Sequence, residues 1–371
     1  MLVSHGPSLE ADHRHASGNI ARNAQGQAII RLRCPAALGQ AEAVPTPTGP
    51  PIALPPEVVE TVSTVFGARG RTWLTELPGR VEALCAQWQL TPLGAAFAGG
   101  THSYAAPVRR ADGSVAVLKI PIVDEENVGE AAGLYCYGGD GAVRLHDYDP
   151  GSGALLLEWA RPGTPLLAQP GFPSLEGLPE HADKVEVACR LYRRLRRPPV
   201  ALPDGYPPIP TVSAVLADWS VRFGQPKPEL VHAVPSTLVD AAVARCAALT
   251  TPREPPVVVN RDTHLGNIVA AEREPWLLID PKPYLGEAAF DIGFLIMIRI
   301  QRLPTAEHAR RMVTATAAAT GVDPGRACHW AFLRAMEEIS WAVDDHVPRD
   351  LRLHLAVATA LSGIAPSFEV S

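Results

Sequence analysis

Residues 257–291 read V-V-V-N-R-D-T-H-L-G-N-I-V-A-A-E-R-E-P-W-L-L-I-D-P-K-P-Y-L-G-E-A-A-F-D. An apolar run, Val257-Val258-Val259, delivers Asp262 into a polar loop. Asn267 follows five residues later, and Asp280 closes a second apolar run, Trp276-Leu277-Leu278-Ile279, thirteen residues beyond that. Two strands that end in oxygen-bearing side chains suit phosphoryl transfer. One carboxylate orients the attacking hydroxyl and takes its proton, while two hard oxygen ligands hold Mg²⁺ against nucleotide phosphates. This spacing makes Asp262 the candidate base and Asn267 and Asp280 the candidate metal ligands.

Working outward, residues 1–55 read as an irregular, Pro-rich extension. The stretch A-V-P-T-P-T-G-P-P-I-A-L-P-P at 43–56 can be neither a continuous helix nor a central strand. Trp73, Leu77, Val81, Leu84 and Trp88 recur at spacings of three and four, which predicts an amphipathic helix. Strand signals follow. Residues 95–108 are small and apolar, Asp112-Gly113 marks a hairpin turn, and 115–120 is a buried strand ending in Lys119-Ile120. A helix is expected over 124–137, stopped by Gly138-Gly139, and two more strands over 142–145 and 154–158. Residues 90–160 thus form an antiparallel sheet of about five strands with one inserted helix. Beyond Arg161-Pro162-Gly163, helical patterns dominate, with Val185, Cys189, Tyr192 and Leu195 on one face, another helix over 237–249 and a mainly helical remainder after Asp291. The division is 1–55 extension, 56–160 strand-rich lobe and 161–371 helix-rich lobe, an α+β pattern.

Composition limits the partners. The chain has 33 basic and 39 acidic residues, a net charge of -6, and lacks the basic surplus expected of a nucleic-acid binder. Its six cysteines are far apart with no C-x-x-C pair, against a structural zinc site. No apolar run approaches the ~20 residues that span a bilayer, and the N-terminus lacks the basic start and apolar core of a signal peptide. The expectation is a cytoplasmic protein with no nucleic-acid or membrane partner.

The loop resembles that of the aminoglycoside phosphotransferases, in particular the streptomycin 6-phosphotransferase and hydroxyurea phosphotransferase group. That family's pattern is H-G-D-L-H-x-x-N, then a strand and I-D-P. Here the loop is Asn260-Arg261-Asp262-Thr263-His264-Leu265-Gly266-Asn267, followed by Ile279-Asp280-Pro281. Lys282 to Glu287 and Phe290-Asp291 match the subgroup's D-P-K-x-x-x-G-E…F-D. Asn260, Arg261 and Thr263 depart from the family's His, Gly and Leu, while Asp262, His264 and Asn267 match it.

The resemblance implies a two-lobed protein-kinase-like fold, with an antiparallel-sheet N-lobe and a mainly helical C-lobe, binding ATP and Mg²⁺ between them. It places Lys119 on the α- and β-phosphates, partnered by a glutamate of the next helix. Glu130 fits best by its distance from Gly138-Gly139, with Glu126 one turn earlier as the alternative. Gly99, Gly100 and Ser103 would cover the phosphates with backbone amides, and Glu158 to Ala160 would be the hinge beside adenine. His264 orients the loop, and Asp291 anchors it. Glu337, Glu338, Asp344 and Asp345 crowd around Trp341, a candidate surface for a cationic, polyhydroxylated acceptor such as streptomycin, with a solvated acidic helix face as the bland reading. Two other functions stay open: a kinase of an endogenous metabolite, and a catalytically impaired nucleotide-binding protein.

Overall fold

The computed structural model describes residues 54–97, 102–168 and 179–368. The Pro-rich stretch up to residue 53 and the expected phosphate-covering Gly99 and Gly100 lie outside the described residues. Two helices come first, α1 (Pro56–Val65) and α2 (Gly67–Gln87). Proline at the first turn of α1 removes an N–H that would lack a partner anyway. The buried stripe of α2 is Gly70, Trp73, Leu77, Val81 and Leu84, the expected face apart from Trp88, which caps the helix.

A five-stranded antiparallel sheet follows: β1 (Thr91–Pro92), β2 (Ser103–Arg109), β3 (Val115–Pro121), then helix α3 (Glu130–Tyr137), β4 (Leu145–Asp149) and β5 (Ala154–Glu158). Its order is β1-β2-β3-β5-β4. Alternation sends Ala116, Leu118, Ile120 and Leu156 to a core shared with α1 and α2, while Leu155 and Leu157 enter a second core with α3. The turn at Asp112-Gly113 forms as expected, with Gly113 at φ +83°.

Two boundaries differ from the sequence reading. The helix expected from Asp124 begins only at Glu130. Asp124 Oδ1 accepts from the N–H groups of Glu126 and Asn127, a side-chain turn that competes with helix formation. The strand expected over 142–145 begins at Leu145, and Ala142 instead makes an isolated parallel bridge to Leu278.

The remaining chain gives β6 (Pro162–Pro165), α4 (Pro179–Leu195), α5 (Val212–Gly224), α6 (Pro228–Ala233), α7 (Ser236–Leu249), β7 (Val257–Asn260), β8 (Ile268–Ala271), β9 (Trp276–Leu278), β10 (Pro283–Gly286), α8 (Ala289–Ile300), α9 (Ala306–Thr320), α10 (Pro324–Asp344) and α11 (Pro348–Ile364). β10 pairs with β7, and β6-β8-β9 form a three-stranded sheet. The second core joins the halves, because α3 and β5 share it with α4, β8 and β9. Among the described residues, Pro348–Phe368 is by length and composition apolar enough to cross a bilayer, as a packed core helix also can be. That segment packs Val357, Ala358, Leu361 and Ile364 into the helical core.

Glycines let α3 sit directly on β10. A Cβ on Gly133 would lie 2.6 Å from Pro283 Cγ, and one on Gly129 would lie 3.0 Å from Pro210 Cδ and 3.2 Å from Pro283 Cγ. Gly133→Ala should therefore destabilise the protein by about 1–3 kcal/mol in urea unfolding, as overpacking does. Gly79→Ala, where nothing lies within 4 Å of the new Cβ, should be stabilising by about 0.5–1 kcal/mol. Equal effects at the two sites would contradict this account of the α3–β10 contact.

Candidate active site

The loop after β7 is shaped by side chains acting on its own backbone. Asn260 Oδ1 accepts from the N–H of Lys282 at 2.9 Å and of Asp262 at 3.3 Å, and its Nδ2 donates to the Asp262 carbonyl at 3.1 Å. The Arg261 N–H donates to the Lys282 carbonyl at 2.8 Å. Asn260 thus pins the turn carrying Asp262 to the chain entering β10. Thr263, fully buried, donates to the Asp291 carbonyl at 2.9 Å. The Asp291 carboxylate accepts two hydrogen bonds from Arg196, at 2.7 and 3.0 Å, while Arg196 also reaches the Thr320 carbonyl. Burial pushes the Asp291 carboxyl up, and Arg196 opposes that.

Asp262 Oδ2 meets two neighbours. Asn267 Nδ2 donates to it at 3.3 Å, and His264 Nε2 lies 3.5 Å away. His264 Nδ1 accepts from the Gly266 N–H, so the ring's own proton resides on Nε2, facing Asp262. Asp262 therefore has one oxygen oriented by the loop. No side-chain hydrogen bond to Oδ1 occurs among the described residues.

Opposite stands an ammonium shared by two carboxylates. Lys119 Nζ, at the end of β3, donates to both Glu130 oxygens at 2.6 and 2.7 Å and to Asp280 Oδ1 at 2.6 Å. The choice between the two candidate glutamates is resolved: Glu130 meets Lys119, and Glu126 instead pairs with Lys282 Nζ at 2.6 Å. Burial pushes the Glu130 carboxyl up to about 7 against the pull of Lys119. Enclosure by the surrounding protein disfavours charge on Asp280 although its side chain is 52% exposed, yet Lys119 holds its carboxyl down to about 2. Asp280 sits at φ +49°, a left-handed conformation rare for a non-glycine residue and characteristic of strained functional sites. Lys282 was not singled out from sequence as a site residue. The available signal was its position two residues after Asp280, opposite Asn260.

Other expected residues are placed less uniformly. Ser103 is half-buried at the start of β2, paired in register with Pro121. The Glu158 carboxylate is held by Arg273 through two 2.8 Å bonds and by the Arg144 N–H, so its side chain serves the β8–β9 turn. Trp159, between Glu158 and Ala160, stacks obliquely on Phe97 at 5.9 Å. The expected acidic acceptor face does not form as one surface. Glu337 is buried, bound by Arg261, Arg334 and the Trp219 indole N–H, which leaves it no open approach. Asp344 pairs with Lys227, and Asp345 caps the exposed end of α10. Trp341 is half-buried one turn beyond Glu337.

The donor set fits a magnesium nucleotide. Asn267 spends its amide N–H on Asp262, which leaves the carbonyl Oδ1. Asp280 spends Oδ1 on Lys119, which leaves Oδ2, and its side chain is 52% exposed toward the cleft. Two hard oxygens and few protein ligands match Mg²⁺ completed by phosphates and water.

A family profile described as "Aminoglycoside/hydroxyurea antibiotic resistance kinase" matches residues 87–346. A hydroxyurea phosphotransferase of Kitasatospora aureofaciens is 33% identical over 319 residues, 85% of this chain and 88% of that protein. A streptomycin 6-kinase of Streptomyces griseus is 30% identical over 326 residues, 84% of this chain and 97% of that protein. Among solved structures, a choline kinase of Streptococcus pneumoniae superposes with a TM-score of 0.50 at 9% identity, covering 78% of this chain and 99% of that one. The fold is the two-lobed, protein-kinase-like α+β fold.

The Arg196–Asp291 pair is a buried ionic support of the loop, with side chains 7% and 1% exposed. Arg196→Met should lower stability by about 3–5 kcal/mol, because it strands a buried carboxylate. Adding Asp291→Asn should restore a large part of that loss in urea unfolding. No recovery in the double variant would mean that Arg196 acts by packing alone.

Proposed function

The chain belongs to the aminoglycoside/hydroxyurea antibiotic resistance kinases, and from that premise we propose that it is an ATP- and Mg²⁺-dependent O-phosphotransferase acting on a small hydroxylated molecule. The observation that carries this reading is the convergence of Asp262, Asn267, Asp280 and the Lys119–Glu130 pair on one cleft. Asp262 is the base, Lys119 the α/β-phosphate contact, and Asn267 and Asp280 the metal ligands. Mg²⁺, when bound, supplies charge neutralisation to the phosphates.

In the step itself, the acceptor oxygen forms a bond to the γ-phosphorus. The bond from that phosphorus to the bridging oxygen breaks, and its electron pair leaves with ADP. The hydroxyl proton passes to Asp262. His264 and Asn267 hold Oδ2, so the remaining oxygen is aimed rather than free to rotate. Lys119 stays anchored by Glu130 and can offer its charge to the phosphates by exchanging its bond to Asp280 for one to a phosphate oxygen.

The acceptor class we favour is an aminoglycoside such as streptomycin, with hydroxyurea next, after the names of the two relatives. The loop's departures from the family pattern do not speak for a dead enzyme. Asn260, Arg261 and Thr263 each have hydrogen-bond partners that keep Asp262 in place. An endogenous metabolite remains as a third acceptor class.

The decisive assay is Mg²⁺-dependent ADP release from ATP across streptomycin, other aminoglycosides and hydroxyurea. One compound should stimulate release, and Asp262→Ala should lower kcat by about 10²–10⁴-fold, the usual contribution of a positioned base. Wild-type turnover in that variant would remove Asp262 from its role. ATP binding without stimulated release by any compound in the panel would move the reading to an untested metabolite or a non-catalytic protein. Lys119→Ala should chiefly raise KM for ATP, and an unchanged ATP dependence would overturn its phosphate contact.

A further inference from the structure

The cleft holds more positive charge than the catalytic step above employs. Lys282 leaves the segment between Asp280 and β10 with its backbone fixed on both sides. Its N–H donates to Asn260 Oδ1 at 2.9 Å, and its carbonyl accepts from the Arg261 N–H at 2.8 Å. The ammonium therefore emerges beside the turn that carries Asp262, and it feels the fields of both Asp262 and Asp280. Its one hydrogen-bonded carboxylate is Glu126, on the β3–α3 turn across the cleft.

The other cations lining the cleft are committed. Lys119 spends all three N–H groups on Glu130 and Asp280. Arg261 is bound by Glu337 and the Tyr284 hydroxyl, and lies 5.7 Å from the Tyr284 ring centroid. Burial and Lys282 both lower the pKa of His102, so its ring is poorly disposed to carry charge. Lys282 alone among these cations has two N–H groups left over, on a flexible stem whose partner sits on the opposite lobe. A transferring phosphoryl group spreads charge over its three equatorial oxygens and calls for a cation at that point.

We propose that Lys282 is a γ-phosphate contact, parked on Glu126 while the cleft is empty and turned onto the γ-phosphoryl oxygens when ATP is bound. This rests on the kinase reading above and adds to it a residue that distinguishes ATP from ADP. Glu126 is then a holding partner, competing with the phosphate for the same ammonium. Its neighbours keep it in place for that purpose, since the turn is tied by Asp124 to the Glu126 and Asn127 N–H groups and by Asn127 to the Ile122 carbonyl.

The test compares Mg²⁺-dependent binding of a non-hydrolysable ATP analogue and of ADP by calorimetry, in the wild type, Lys282→Met, Lys282→Arg and Glu126→Gln. Lys282→Met should weaken the analogue by about 10- to 100-fold, the value of a charged hydrogen bond, and ADP by less than about twofold. Lys282→Arg, which keeps the charge, should retain part of the preference. Glu126→Gln should keep or raise it, because the competing carboxylate is gone. In turnover, Lys282→Met should lose about 10²–10³-fold in kcat.

If Lys282→Met weakens ADP as much as the analogue, or if Glu126→Gln erases the preference as fully, the pair is only a strap between lobes and the proposal falls. A wild type that binds neither nucleotide would sink the kinase reading itself, whereas a wild-type preference that survives Lys282→Met would sink only the role of Lys282.

Discussion

The arrangement depends on one ammonium shared by two carboxylates. Lys119 is almost wholly buried, and an unpaired charge there would cost several kcal/mol. Its three N–H groups are met by acceptors from two separate segments, α3 and the turn after β9, so β3 can bury its lysine only when both are in register. This makes the contact a test of assembly as much as a source of stability. It also leaves the cleft formally negative, with Lys119 and Lys282 facing Glu126, Glu130, Asp262 and Asp280. A cleft of that charge would need a divalent cation to accept a polyphosphate, and under the proposed function Asn267 and Asp280 would hold it.

Around that contact, the loop carrying Asp262 is braced by polar pairs as well as by the apolar seat of Leu265 in the second core. Arg196 with Asp291 joins the loop's flank to the end of α4, while Arg261 with Glu337, and Arg326 and Trp330 with Glu287, join the loop and its flank to α10. Replacing such pairs by apolar residues commonly costs little stability, so stability alone does not explain them. Their geometry does, because a guanidinium's rigid fork of donors fixes the orientation of its carboxylate partner. The backbone of Asp262 lies between two of these braces.

How much of this was legible in sequence follows from range. Asp262, Asn267 and Asp280 could be read because each sits within a few residues of a short apolar strand, and Lys119 because it closes one. Glu130 and Glu126 could not be separated, being one helical turn apart. The distinction rests on Asp124, whose side chain turns the backbone and delays α3 until Glu130. The pairs Glu126–Lys282, Arg261–Glu337 and Glu158–Arg273 span 156, 76 and 115 residues, and no local pattern records them. For the same reason Glu337 looked like part of an acidic surface. Its charge and helix were visible, whereas the buried guanidinium facing it was not. The strands β6, β8 and β10 have four residues each, too short for an alternation to register.

The loop's departures from its family pattern are best understood as a coupled set. An arginine at 261 brings a buried positive charge that the family's glycine does not, and such a charge is tolerable only if a carboxylate is waiting. Glu337 supplies it from α10, and Tyr284 on β10 adds a hydroxyl and an aromatic ring. With Arg261 drawn toward α10, the turn needs a restraint on its other side. Asn260 provides one by bonding to both Asp262 and Lys282, since its amide can donate and accept at once. Thr263 then fixes the far end by donating a hydroxyl proton to Asp291. Arg261 and Glu337 are coherent only together, since either alone would leave a buried charge unmatched, whereas Asn260 and Thr263 bond to backbone groups. Asp262 is held by both kinds of restraint.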